Sequence, residues 1–258
     1  MTKDTLPKPV LGEISALTIT TPDPEASLQY YQQLGFKELF RMDFPFPWVQ
    51  ITDEALLIML RKADDPYLAL TYYVKEIEKL SAELESKGIQ FISKPKDSDP
   101  VKRWLFQSPD GLNISLVGIA DGFRKPAGTT MLTMNQSDYF KPETYTNKIA
   151  GMFGELAHPV KNLHESIVFW QKIGFTVLSK YESPYPWAII SDGLSIVGLH
   201  QTKHFDYPAI TFFAADMKEK IEHLKKEGLK NYKESGGPSN IILETPEHQH
   251  IFLFKLGM

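Results

Sequence analysis

The sequence contains no cysteine. That absence excludes disulfides, thiol catalysis and Cys-ligated zinc or iron–sulfur centres, and it suits a cytoplasmic location. Long hydrophobic runs are missing as well: the longest, Ala55 to Leu60, falls far short of the roughly 20 residues that cross a bilayer. The opening stretch MTKDTLPKPV has no basic region followed by an apolar one, so it does not read as a signal peptide. Neither charge sign dominates. A formal net charge of −4 gives no electrostatic reason to expect nucleic acid or an anionic membrane as partner. No Ser–His–acid spacing or phosphate-cradling glycine loop is present, and Gly236-Gly237 is a lone turn signal.

What is present is a globular composition, 42% hydrophobic and 23% charged over 258 residues, enough for one large domain or two ordinary ones. The chain repeats itself. Gly35-Phe36 and Pro47-Trp48 recur as Gly174-Phe175 and Pro186-Trp187 at an offset of 139, kept also by Asp53/Asp192 and Leu60/Leu199. The offset becomes 140 at Ala69/Ala209 and Gly88/Gly228, and 137 at Pro109/Pro246, as loop insertions and deletions between retained elements would produce. The repeat divides the chain into residues 10–118, a connecting stretch 119–151, and residues 152–258.

Each half reads as the same series. Ile14 to Ile19 alternates as a half-buried strand. A helix follows, capped by Asp23, with Leu28, Tyr31 and Leu34 on one face and Gly35 as its stop; Asn162, Ile167, Trp170 and Ile173 play these parts in the second half. Strands are expected around Lys37–Asp43, Trp48–Thr52 and Ala55–Arg61. The unit then restarts with a strand at Tyr67–Val74 and a helix at Lys75–Lys87. Strands near Ile89–Ser93, Arg103–Gln107 and Leu112–Gly118 complete it. The fold class is therefore α+β, with four tandem βαβββ units, two per half.

This pattern resembles the vicinal oxygen chelate superfamily of glyoxalases, bleomycin-resistance proteins and extradiol dioxygenases. The residues that carry the resemblance are Asp23, Ser27, Tyr31, Leu34, Gly35 and Phe36 with the stretch Ser108-Pro109-Asp110-Gly111 through Leu116. Their repeats are Asn162, Ser166, Trp170, Gly174 and Phe175 with Thr245-Pro246-Glu247 through Leu253. The resemblance implies two half-barrel modules, each with a concave face for a ligand or metal.

Catalytic members of the family bind a divalent metal through His, Glu or Gln on the first, fifth and last strands of a module. The resemblance puts those positions at Ala16, Ala69 and Ser115 in the first half, and at Glu155, Ala209 and Phe252 in the second. Only Glu155 is a donor, where such a cation needs about three. The expectation is thus no metal cofactor. The alternative is a displaced site of Glu155, His200 and His250 for Mn, Fe or Zn, with His250 expected to face the same cavity as Glu155; the plain reading makes both histidines polar residues near strand ends. His158 is expected to face the helices as a core histidine.

Strand alternation also predicts the pocket walls. In the first half they are Ala16, Thr18, Trp48, Gln50, Met59, Ala69, Thr71, Tyr73, Arg103, Asn113 and Ser115. In the second they are Glu155, Ala157, Trp187, Ile189, Ala209, Thr211, Phe213, His250, Phe252 and Phe254. Phe46-Pro47-Trp48 and Tyr185-Pro186-Trp187 place an indole at each mouth. The second pocket is expected to be the more filled, with Phe213, Phe252 and Phe254 crowding Glu155 and desolvation making it a candidate general base. The reading reached is a metal-independent monomer or homodimer that binds a small, partly aromatic or apolar molecule. The alternatives are a metal-dependent lyase, isomerase or dioxygenase, and a non-catalytic scaffold with plugged pockets.

Overall fold

The computed structural model describes residues 7–44, 46–120 and 140–256. The first half contains β1 (Ile14–Thr21), α1 (Pro24–Gln33), β2 (Lys37–Met42), β3 (Trp48–Thr52), β4 (Leu57–Lys62), β5 (Leu68–Val74), α2 (Ile77–Ser86), β6 (Arg103–Gln107) and β7 (Asn113–Gly118). The second contains β8 (Met152–Pro159), α3 (Leu163–Lys172), β9 (Thr176–Tyr181), β10 (Trp187–Ser191), β11 (Ile196–His200) and β12 (Ala209–Ala214). It continues with α4 (Met217–Lys226), β13 (Tyr232–Glu234), β14 (Asn240–Glu244) and β15 (His250–Lys255). Of the connecting stretch, residues 121–139 lie outside the described residues.

The strands form two mixed sheets, ordered β2-β3-β4-β1-β5-β7-β6 and β13-β14-β15-β12-β8-β11-β10-β9. Each sheet is built around one antiparallel pair, β1 with β5 or β8 with β12. Each member of that pair takes a parallel partner from its own unit: β4, β7, β11 and β15 respectively. The two glyoxalase/dioxygenase-type modules follow from this arrangement.

One expected strand is absent. The stretch Ile89–Ser93 makes only an isolated bridge, Ser93 with Leu105, so the first sheet has seven strands where the second has eight. Pro95 and Pro100 follow at once, and proline has no N–H to extend an edge ladder. In the second module the residue two after this stretch is Ser235 in place of Pro95, the next proline being Pro238, and the strand pairs as β13 with β14.

The helices begin where capping chemistry permits. Asp23 accepts from the amides of Glu25 and Ala26, and Asn162 from those of His164 and Glu165. Such caps satisfy otherwise orphaned N–H groups and are worth about 1 kcal/mol each. Gly35 ends the first turn out of α1 at φ +91°, and a side chain there would overlap the Asn147 carboxamide.

Strand alternation then separates two faces. Leu17 and Ile19 of β1 join Leu28 and Tyr31 of α1 in a core that runs continuously through both modules, while Thr18 between them lines a cavity. The modules are joined by a reciprocal pair of contacts. Ser27 Oγ on α1 donates to Glu247 Oε2 at 2.6 Å, and Tyr31 Oη donates to Oε1 at 2.9 Å. In the mirror arrangement Ser166 Oγ on α3 donates to Asp110 Oδ2, whose other oxygen accepts from the Lys161 amide at 2.8 Å. Asp110 and Glu247 occupy the same place in the repeat, the turn before the last strand of each module. No helix among the described residues is long and apolar enough to cross a membrane.

Candidate functional site

The face of each sheet turned away from the core encloses a cavity. The second module's is the larger, about 600 Å³ against about 480 Å³. Both fall within the roughly 300–1,000 Å³ of small-molecule sites. This corrects the expectation of a more filled second pocket: Phe213, Phe252 and Phe254 line the cavity as walls and leave space above Glu155. Phe252 and Phe254 stack on each other at 5.0 Å along β15. Phe213 occupies the space over Gly154, where any side chain would overlap its ring. The register slips at this point, since Thr211 pairs with Glu155 but Phe212 pairs with Phe153, leaving Gly154 as the extra residue of a bulge.

Glu155 sits on the floor of this cavity, 4% exposed. Its Oε1 lies 2.8 Å from His200 Nε2, and His200 Nδ1 lies 3.3 Å from Tyr185 Oη. With the carboxylate ionised, Nε2–H donates to it and Nδ1 accepts the tyrosine hydroxyl, a chain of three groups from the loop to the floor. Burial, and then the Glu155 charge, push the Tyr185 phenol up from its ordinary pKa. The Trp187 indole stacks on the His200 ring at 5.5 Å with planes 5° apart, and Tyr181 stacks on the indole at 4.3 Å. This layered stack fixes the ring that holds the carboxylate. Glu155 Oε2 and Thr211 Oγ1, both buried, have no hydrogen-bond partner in the structure. Trp187, Thr211 and Phe252 line the cavity, with Ala157 and Ile189 beside them.

His250 does not join this site. It begins β15 beneath Tyr207, whose ring stacks on it at 3.5 Å, and it is not among the lining residues. The loop between β11 and β12 brings Tyr207 there, and strand alternation says nothing of loops. His158 is buried, with Nε2 3.3 Å from Ser108 Oγ.

In the first module Trp48, Met59, Thr71, Tyr73, Arg103 and Ser115 line the cavity, and the Thr18 and Thr71 hydroxyls lie 2.7 Å apart. Gln50 and Asn113 do not line it. Asn113 is turned into the sheet, where its Nδ2 donates to the Leu68 carbonyl at 3.0 Å and its Oδ1 accepts from Gln107. From β3 only Trp48 reaches the cavity, which lies toward that end of the strand. Sequence reasoning missed Arg61 and Tyr67 here, and Tyr181, Ser183, Tyr185 and Phe205 in the second module. The repeated aromatic-Pro-Trp motif pointed to Tyr185, but not to its contact with His200.

A divalent metal, which the fold family implies, does not fit the residues present. Of the six positions that would supply donors only Glu155 carries one, its Oε1 is engaged by His200, and His250 is held against Tyr207. Among the described residues no three His, Cys, Asp or Glu side chains converge to hold a metal.

Residues 13–116 match the family model of the Glyoxalase/Bleomycin resistance protein/Dioxygenase superfamily. The first module thus matches this superfamily by sequence, and the two modules together share the fold of known 2,3-dioxygenases. Its fold is similar to the 2,3-dioxygenase LapB from Pseudomonas sp. KL28, at TM-score 0.59 and 17% identity over 97% of this chain and 94% of that one. It is also similar to homoprotocatechuate 2,3-dioxygenase from Arthrobacter globiformis, at TM-score 0.60 and 12% identity over 97% and 81%. A variant of homoprotocatechuate 2,3-dioxygenase from B. fuscum gives TM-score 0.60 and 12% identity over 97% and 73%. No curated protein sequence matches significantly.

Proposed function

We propose that the protein binds a small, partly aromatic or apolar molecule in the second module's cavity, and that it does so without a metal. The observation that carries this reading is the pair of buried, unpartnered oxygens, Glu155 Oε2 and Thr211 Oγ1, on the floor of an aromatic-walled cavity of about 600 Å³. A buried polar atom left unpaired costs about 1–3 kcal/mol, so such atoms await a partner. A ligand with a donor at one end and a flat apolar body supplies it, its body resting on Phe252, Phe213 and Trp187. The empty space above the floor speaks against the plugged-scaffold alternative.

Native mass spectrometry of freshly purified protein tests the whole reading. An organic molecule retained without stoichiometric divalent metal supports it. Stoichiometric Mn, Fe or Zn that disappears in His250→Ala would establish the metal-dependent alternative instead.

A second reading, catalysis with Glu155 as general base, is favoured by one feature. The 2.8 Å contact to His200 leaves one carboxylate oxygen free for a substrate proton and links the other to the Tyr185 hydroxyl through the imidazole.

A further inference from the structure

We propose that the first module's cavity is a second and separate binding site, selective for a small, flat carboxylic acid anion such as an aromatic acid. The repeat relates the two cavities residue by residue. Tyr185, Trp187 and His200 of the second module correspond to Phe46, Trp48 and Arg61 of the first, and Glu155 corresponds to Ala16. A basic side chain is kept at this position, with the imidazole exchanged for a permanently charged guanidinium, while the carboxylate that faces it is replaced by a methyl group. An anion is what the first module lacks.

The geometry supports that exchange. Arg61 on β4 pairs directly across from Trp48 on β3, so the guanidinium lies beside the indole at the cavity wall. Its Cζ lies 5.1 Å from the Phe46 ring centroid and 5.9 Å from that of Tyr67. Arg61 Nε and the Tyr67 hydroxyl are buried without a hydrogen-bond partner, two donors with nothing to bond. Arg103 lines the same space, and neither it nor Arg61 forms an ion pair with a carboxylate among the described residues. Burial and the neighbouring Arg103 charge pull the Arg61 pKa down, as expected of two cations without a counterion.

Asp99 is the lone acidic residue of the lining, and it accepts from the Lys96 amide at 2.8 Å. Lys94 also lines the cavity but is paired with Glu85. A planar guanidinium binds a carboxylate through two parallel hydrogen bonds, and Trp48, Tyr73 and Met59 offer a flat apolar wall for the rest of the molecule. The 480 Å³ of space accepts a one- or two-ring acid.

Calorimetric titration of the full chain with 2-naphthoate, and with 2-naphthamide as its neutral counterpart, tests this site. The expected result is saturable binding of the acid that quenches tryptophan fluorescence. The quenching is lost in Trp48→Phe and kept in Trp187→Phe. Arg61→Met weakens the acid by about tenfold or more, the scale of a charge-assisted hydrogen bond, and the amide binds correspondingly more weakly. Arg103 is exposed, so Arg103→Gln gives a second variant that retains the fold, with a loss of several-fold. Three outcomes overturn the proposal: no binding of 2-naphthoate at millimolar concentration, equal affinity for acid and amide, or quenching that follows Trp187. Because the readout follows Trp48 and Arg61, its failure leaves the reading of the second module's cavity standing.

Discussion

The carboxylate of Glu155 and the imidazole of His200 form a buried pair 2.8 Å apart, roofed by the Trp187 indole that lies parallel to the histidine ring. The pair engages one oxygen of Glu155 and leaves the other, buried against Gly198, without a hydrogen-bond partner. Glu155→Gln keeps the size of the side chain and removes its charge. The expected outcome is a loss of about tenfold or more in affinity for the co-purified ligand, with the melting temperature unchanged or raised. Thermal-shift titration of both proteins reads the two quantities together, and an unchanged affinity would remove Glu155 from the site.

Gly198 on β11 is the reason Glu155 fits. A Cβ at that position would overlap the Glu155 carboxylate, so Gly198→Ala forces the carboxylate off His200. Overpacking of this kind costs about 1–3 kcal/mol, and ligand affinity is expected to fall together with stability. A urea melt beside a ligand titration distinguishes this from a purely structural change, which lowers the first and spares the second.

Glu247 is 3% exposed and accepts from both Ser27 and Tyr31 across the module boundary. Glu247→Ala removes the acceptor that two buried hydroxyls share, and the expected loss is roughly 3 kcal/mol in urea denaturation. Asp110→Ala, at the matching but less buried position, is expected to cost less. Equal effects at the two sites would show that burial does not set the strength of this contact.

Burial holds His158 down to a pKa of about 4, against Asp110 acting in the other direction. The folded protein therefore keeps this ring neutral while the unfolded chain protonates it near pH 6.5. Stability from this residue is complete above that pH and is lost as pH falls from about 6.5 towards 4, on the order of 3 kcal/mol in all. Asp53 and Asp192, whose pKa values burial raises, run the opposite way and favour the fold at acid pH. Urea melts between pH 7 and 4 isolate the histidine by difference: in His158→Gln the slope across that window is expected to flatten.

The duplication, the caps at Asp23 and Asn162 and most strand positions were legible in the sequence, because alternation and capping act over a few residues. The strand expected at Ile89–Ser93 was not formed, since the prolines that follow limit an edge ladder whatever the local hydrophobicity. Glu155 was placed in the cavity by the family resemblance, which puts a ligand position at that point of the first strand. His250 could not be placed that way: its environment is made by Tyr207, which a loop delivers from outside the strand pattern. The same holds for Tyr185 and His200, which the chain brings into contact only once β10 and β11 pair. Arg61 closes a strand that reads as apolar, so its place beside Trp48 follows from register and not from composition.

The exchanged contacts between modules carry one more consequence. Ser27 and Asp110 belong to one half, Ser166 and Glu247 to the other, so each half holds both a donor and an acceptor of the same handshake. A single half is thus self-complementary, and two copies could close the identical pair of bonds about a twofold axis. Such a dimer is bound by its symmetry to offer two identical pockets. Fusing the halves into one chain lifts that constraint, and here the freedom has been used: one pocket has kept an acid against a histidine, and the other has become a nest of arginines.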